Sequence, residues 1–198
     1  MATTYGADAG AGTDLARRRY TRTAMAFHWL IAVLVIVNWR LVENAEHATG
    51  AARGALMNNH KALGITILLL SLARLAWKLR HPGPPFPAHY KAWEKGLART
   101  VHFTFYVLLI GLPLGGWLAN SLVGRSIDAF GLFTIPNLPV GLDQMLGKQI
   151  FDLHATGGTA LLLLIALHIT GALKHTLFDR DGELFRMLPF GRVGKKGG

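Results

Sequence analysis

Residues 150–178 read IFDLHATGGTALLLLIALHITGALKHTLF, an oily run that carries His154, His168 and His175. The run is long enough to cross a hydrocarbon layer about 30 Å thick as a helix. At about 100° per residue, the step from His154 to His168 returns the side chain to within about 40° of its starting direction and climbs about 21 Å. His175 extends the same stripe by two turns. One helix face thus offers imidazoles at two depths, an arrangement suited to two stacked prosthetic groups. The plainer reading is that each histidine bonds and packs against a neighbouring helix. Partners at matching depths on other segments would decide against it, because ionisable residues inside a membrane are otherwise rare.

The rest of the chain has the composition to supply such partners. Its 198 residues are 51% hydrophobic and 16% charged, with a mean hydropathy of +0.31, too apolar for a soluble domain of this size. Apolar stretches at about 24–42, 60–79, 101–122 and 150–178 predict an all-α integral membrane protein, a four-transmembrane-helix bundle. The expected organisation is a disordered basic segment at 1–23, a four-helix membrane domain at 24–190 and a basic tail at 191–198. The run after Arg17-Arg18-Arg19-Tyr20-Thr21-Arg22 resembles a signal peptide, but its length and its His28, Trp29, Asn38 and Trp39 predict an uncleaved first helix.

The net charge of +10 invites a nucleic-acid reading, which the placement of the charges opposes. Flanks 1–23, 74–100 and 174–198 hold sixteen Lys/Arg and six Asp/Glu, whereas 40–61 and 120–152 hold five of each. The positive-inside rule then predicts a multi-pass protein of the bacterial inner (cytoplasmic) membrane with both termini cytoplasmic. Cysteine is absent, which excludes disulfides, thiolate metal sites, iron–sulfur clusters and covalent c-type haem.

Alternating helix directions sort the histidines by depth. His60 and His154 fall in an outer layer; His28, His102 and His168 fall in an inner one, with His175 nearer the inner water. A flat macrocycle needs a small residue at i+4 beside its ligand. His28 has Ala32, His60 has Gly64, His154 has Gly158 and His168 has Ala172, whereas His102 has Tyr106. The expected pairs are therefore His28 with His168 and His60 with His154. Paired imidazoles in helix interiors that carry no acidic residue apart from Asp152, at an outer end, suit haem iron better than zinc, and the missing cysteines make it b-type, giving two haem b.

Arg74 shares the inner depth, where it either meets a cofactor's carboxylates or snorkels. His47 is expected in a solvated outer loop spanning 43–59. Residues 82–87 should form a stiff non-helical linker, followed by a short interfacial approach to the third helix. Pro113 should kink that helix. The connection 120–149 is expected to be an amphipathic cap on the outer surface, with substrate contact as a second option.

Several motifs resemble those of the bacterial cytochrome b561 family, over about 20–189. They are His28-Trp29 after the basic start, His60-Lys61-Ala62-Leu63-Gly64, the Pro-rich linker, Gly111-Leu112-Pro113-Leu114-Gly115-Gly116-Trp117 and Ala129-Phe130-Gly131-Leu132. The most specific run joins Leu167-His168, Ala172-Leu173-Lys174-His175, Asp179-Arg180-Asp181-Gly182 and Met187-Leu188-Pro189. The resemblance implies haem ligands at His28, His60, His154 and His168, exchange of electrons with ubiquinone, and in some members oxidation of superoxide from the outer side. The chain departs from the family at Arg99 and Thr176, where members often carry histidine. His175, with Lys174 beside it, is the expected hydrogen-bonding partner of a quinone. The first expectation is thus a superoxide oxidase, a superoxide:ubiquinone oxidoreductase. The alternative is an electron-relay cytochrome docked to a dehydrogenase or soluble redox partner protein.

Overall fold

The computed structural model describes residues 19–87, 89–191 and 193. Four long helices dominate: α1 (Arg22–Glu46), α2 (Gly50–Arg80), α3 (Ala92–Leu122) and α4 (Gln144–Leu177). All four are long and apolar enough to cross a membrane. A small antiparallel ribbon, β1 (Ile127–Asp128) with β2 (Thr134–Ile135), lies between α3 and α4, and a 3-10 helix (Glu183–Met187) follows α4.

Local chemistry sets where these helices begin. Thr21 Oγ1 accepts from Ala24 N at 3.2 Å and Asp143 Oδ1 from Leu146 N at 2.9 Å, each satisfying a donor that the first helical turn leaves free. Pro113 lies inside α3, where it deprives the Leu109 carbonyl of its usual helical donor.

The helices outrun the apolar stretches. Only residues 47–49 connect α1 to α2, so the expected external loop over 43–59 is corrected: most of it is helix. Residues 43–59 include five alanines, the strongest helix former, and falling hydropathy marks the membrane edge rather than the helix end. Gly50, at φ +55°, makes the sharp entry into α2 that a side chain would strain. The interfacial approach at 92–100 is likewise continuous with α3. His47, at the C-cap of α1, is exposed.

The most extensive packing is of α1 on α2, α3 on α4, and α2 on α3. An apolar core of Ile31, Val35, Leu63, Ile67, Leu109 and Leu161 fills the middle of the bundle. Leu69, Phe103 and Leu163 point outward, each more than 60% exposed, and meet lipid. Apolar burial drives helices together only weakly in hydrocarbon, so close fit matters more: Gly157 of α4 lies directly against Leu112 of α3.

The two ends differ in construction. At the hairpin end, residues 123–143 fold back over the bundle. Asn58 and Asp128 exchange bonds (Nδ2 to O, 2.9 Å; N to Oδ1, 3.1 Å), and Trp117 Nε1 donates to Pro136 O at 3.1 Å. Ile127 and Ala129 are buried while Phe130, Leu132 and Phe133 face out, so apolar side chains stand on both faces of this segment. At the basic end, three segments are sewn together. Tyr20 N donates to Arg186 O at 3.2 Å, Trp29 Nε1 to Met187 O at 2.7 Å and Arg186 Nη2 to Pro85 O at 2.8 Å. The linker over 82–87 is non-helical, as its prolines dictate. Of the segment 1–23 expected to be disordered, residues 1–18 lie outside the described residues; Arg19 bonds the Gly191 carbonyl, and Arg22 and Thr23 belong to α1. The basic tail also lies outside them, apart from residues 191 and 193.

Candidate functional site

Histidine rings meet across the bundle at two levels. Near the hairpin end, His60 of α2 faces His154 of α4 with ring centres 6.0 Å apart and planes at 87°. Both rings are oriented through Nδ1: His154 contacts Leu112 O at 2.9 Å and His60 contacts Asn38 O at 3.4 Å. A ring whose Nδ1–H donates to a carbonyl keeps Nε2 as a free lone pair, the usual arrangement of a metal-binding histidine. Gly116 makes room for His154, since a Cβ there would stand 3.1 Å from its Cε1. These carbonyl partners escaped the sequence reading, because a backbone oxygen carries no side-chain signal.

Near the basic end, His28 of α1 faces His168 of α4 with ring centres 6.2 Å apart and planes at 70°. His102 of α3 also approaches His168, at 5.5 Å, and Phe105 lies 5.3 Å from it. His28 packs on Trp29 at 5.2 Å, and its buried Nδ1 has no hydrogen-bond partner among the described residues. Arg74 and Lys78 of α2 both approach the Tyr106 ring, at 6.0 and 4.9 Å. Among the described residues Arg74 makes no ion pair, although it is half-buried.

A third, polar constellation closes the basic end. His175 Nδ1 lies 2.7 Å from Asp179 Oδ2, and Lys174 Nζ reaches both Asp179 (2.7 Å) and Glu94 (2.9 Å). Glu94, His175 and Asp179 are close enough together to share a cation, but the Lys174 ammonium already supplies positive charge among them. Its hydrogen bond holds the Asp179 carboxyl below the usual carboxylate range, whereas burial pushes the Glu183 carboxyl and the Tyr90 hydroxyl up. Sequence reading singled out His175 and Lys174 and quoted Asp181 only as part of a family motif; Glu94 and Tyr90, which join them from distant segments, were missed.

A four-helix membrane bundle with imidazoles facing across its interior at two depths has the construction of a membrane cytochrome. The sequence model of the prokaryotic cytochrome b561 family matches residues 19–190, and the chain belongs to that family, an electron-transfer family whose name implies haem b. It is 30% identical over 172 residues to a probable superoxide oxidase CybB of Yersinia pestis, covering 87% of this chain and 97% of that protein. It is also 30% identical over 176 residues to cytochrome b561 homolog 2 of Escherichia coli K12, covering 86% and 91%. Cytochrome b562 of Cereibacter sphaeroides is 26% identical over 178 residues, covering 85% and 94%.

The residues present fit a haem iron. Two metal–imidazole bonds of about 2 Å each, with the half-width of each ring added, come to about 6 Å between ring centres, close to both spacings. Among the described residues, no carboxylate joins either pair. A Cβ on Gly158, one turn beyond His154, would meet nothing within 4 Å, so that face of α4 is open.

Proposed function

We propose that this protein oxidises superoxide at the hairpin end and reduces ubiquinone at the basic end, with His60 and His154 holding one haem b and His28 and His168 a second. The facing of two imidazole pairs at two depths of one helix, α4, carries the reading. When bound, the haems would supply reversible one-electron storage at each depth, each held by the two histidines that face one another there.

The chain's own residues do the rest. Nδ1 contacts to Leu112 O and Asn38 O fix the tautomers of the hairpin-end rings. Arg74, without an ion-pair partner among the described residues, is the cation for carboxylates of a basic-end cofactor. His175, and less directly Lys174, serve the quinone by hydrogen bonding. The excess of Lys and Arg puts the basic end, with both termini, on the cytoplasmic side.

At the hairpin end the cations are not equivalent. Arg40 is paired with Glu43, and Arg53 donates to Ala45 O at 3.0 Å. Neither Lys61 nor Arg125 has an ion-pair partner among the described residues, and Lys61 adjoins His60, which makes them the better attractors of a small anion. Lys148 is exposed nearby in the sequence of α4.

Purified protein should contain two b haems per chain, reduced by a superoxide pulse and reoxidised by added ubiquinone. Haems that ignore superoxide but are reduced by a co-purifying dehydrogenase or soluble carrier would transfer the reading to an electron relay. The exposed tip formed by Phe130, Leu132 and Phe133 would then be the surface to test for docking.

A further inference from the structure

Two buried polar atoms, His28 Nδ1 on α1 and Ser71 Oγ on α2, have no hydrogen-bond partner among the described residues. Ser71 is fully buried. Its hydroxyl also differs from other helical hydroxyls of this chain. Those of Thr66, Ser121, Thr156, Thr159 and Thr170 each donate to the carbonyl four residues back, and that of Ser71 does not. A polar group left unpaired inside a hydrocarbon layer is costly, because no water is there to satisfy it.

The packing of α1 on α2 sets these two residues at one depth. Asn38 O receives His60 Nδ1 at 3.4 Å, and Thr21 Oγ1 accepts from Trp77 Nε1 at 3.0 Å. Seventeen residues separate the two contacts on either segment, so the antiparallel helices run in step. His28 then falls opposite residue 70, beside Ser71. Ser71 also shares the inward face of α2. Eleven residues beyond His60, its side chain returns to within about 20° of the same direction.

We propose that Ser71 is the positioning residue for His28, its Oγ accepting the Nδ1–H of the ring when Nε2 turns to a haem iron, an inference that rests on the assignment of His28 as a ligand above. The adjustment asked of Ser71 is a turn about χ1, which moves a serine oxygen by roughly 2 Å between staggered wells. The hydroxyl's own hydrogen then goes to the Ile67 carbonyl one turn back, the bond that the other helical hydroxyls already make. Each level thus takes its orienting group from the neighbouring helix. Asn38 O of α1 serves His60 of α2, and Ser71 Oγ of α2 serves His28 of α1. A hydrogen bond at Nδ1 fixes the tautomer that leaves the Nε2 lone pair free and raises the basicity of the ring, which favours the oxidised iron. Ser71 acts through His28 and touches no reacting atom.

The test is a redox titration of the full haem-loaded chain, read optically and by low-temperature EPR of the ferric low-spin signals, which report how the ligand rings are turned. Ser71→Ala should raise the midpoint potential of one haem, changing its reduced-to-oxidised ratio at a fixed potential by about threefold, and should shift one EPR signal. The other haem should stay unmoved. Ser71→Thr keeps the hydroxyl and should hold the parental potential; the same rise there as in Ser71→Ala would overturn the proposal. Ile67→Val changes packing one turn away without touching a polar side chain and should move neither haem. An equal shift in Ile67→Val would reduce Ser71 to a packing role. Parental potentials and signals in Ser71→Ala, with both haems retained, would overturn the proposal and leave His28 as a ligand. Two haems retained in His28→Ala would instead remove the ligand assignment, and the role of Ser71 with it.

Discussion

The two histidine levels hold their rings by different means. At the hairpin end, both Nδ1 atoms rest on main-chain carbonyls, so the bundle geometry itself sets ring angle and tautomer. At the basic end, His28 Nδ1 has no partner among the described residues, and the rings are held by packing on Trp29, Phe105 and His102, with Arg74 and Lys78 close by. Carbonyls cannot be exchanged by substitution, whereas ring contacts and cations can. The hairpin-end level should therefore be the more uniform under mutation and the basic-end level the more adjustable.

Histidine replacement tests that contrast most severely. His60→Ala or His154→Ala should halve the haem content, and His28→Ala or His168→Ala should do the same through the other haem, measured as pyridine haemochrome per chain. His102→Ala should keep both; loss of one haem there would make His102 the basic-end ligand in place of His28. Gly158→Ala should come next. Its Cβ meets no protein atom within 4 Å, so the bundle should fold, yet haem retained through purification should fall several-fold because the methyl enters the macrocycle's face.

A smaller effect separates the levels electrically. Arg74→Gln removes a cation that favours the reduced iron, so the midpoint potential of the basic-end haem should fall by on the order of 50 mV, with the other haem unmoved in a redox titration. Smallest is a pH effect on stability. The Asp179 carboxyl is held down by its bond to Lys174, so its contribution is present above the unfolded value of about 3.9 and is lost as pH falls through the lower folded value. Melting temperature should be level from neutral pH to about 4 and drop below it; Asp179→Asn should flatten that acidic limb.

Much of this architecture was legible in the sequence because membrane helices announce themselves by composition. Depth then followed from a rise of about 1.5 Å per residue, which is why the structure brings His28 to His168 and His60 to His154. Helix ends were less legible. Hydropathy reports the edge of the hydrocarbon, and residues 50–59 and 92–100 stay helical beyond it. The cluster around Asp181 was least legible, since Tyr90 and Asp181 lie 91 residues apart and no local pattern joins them. His102 shows a limit of another kind: depth alone left it level with His28, and the separation of the two rests on Tyr106 against Ala32.

The stitching of the basic end also has a consequence for biosynthesis. The Tyr20 amide and the Trp29 indole donate to carbonyls of Arg186 and Met187, which the ribosome supplies only after all four spans have been made. Insertion can proceed helix by helix, but this face closes last. A chain stalled before the 3-10 helix leaves those donors without their acceptors, a signal by which unfinished molecules differ from finished ones.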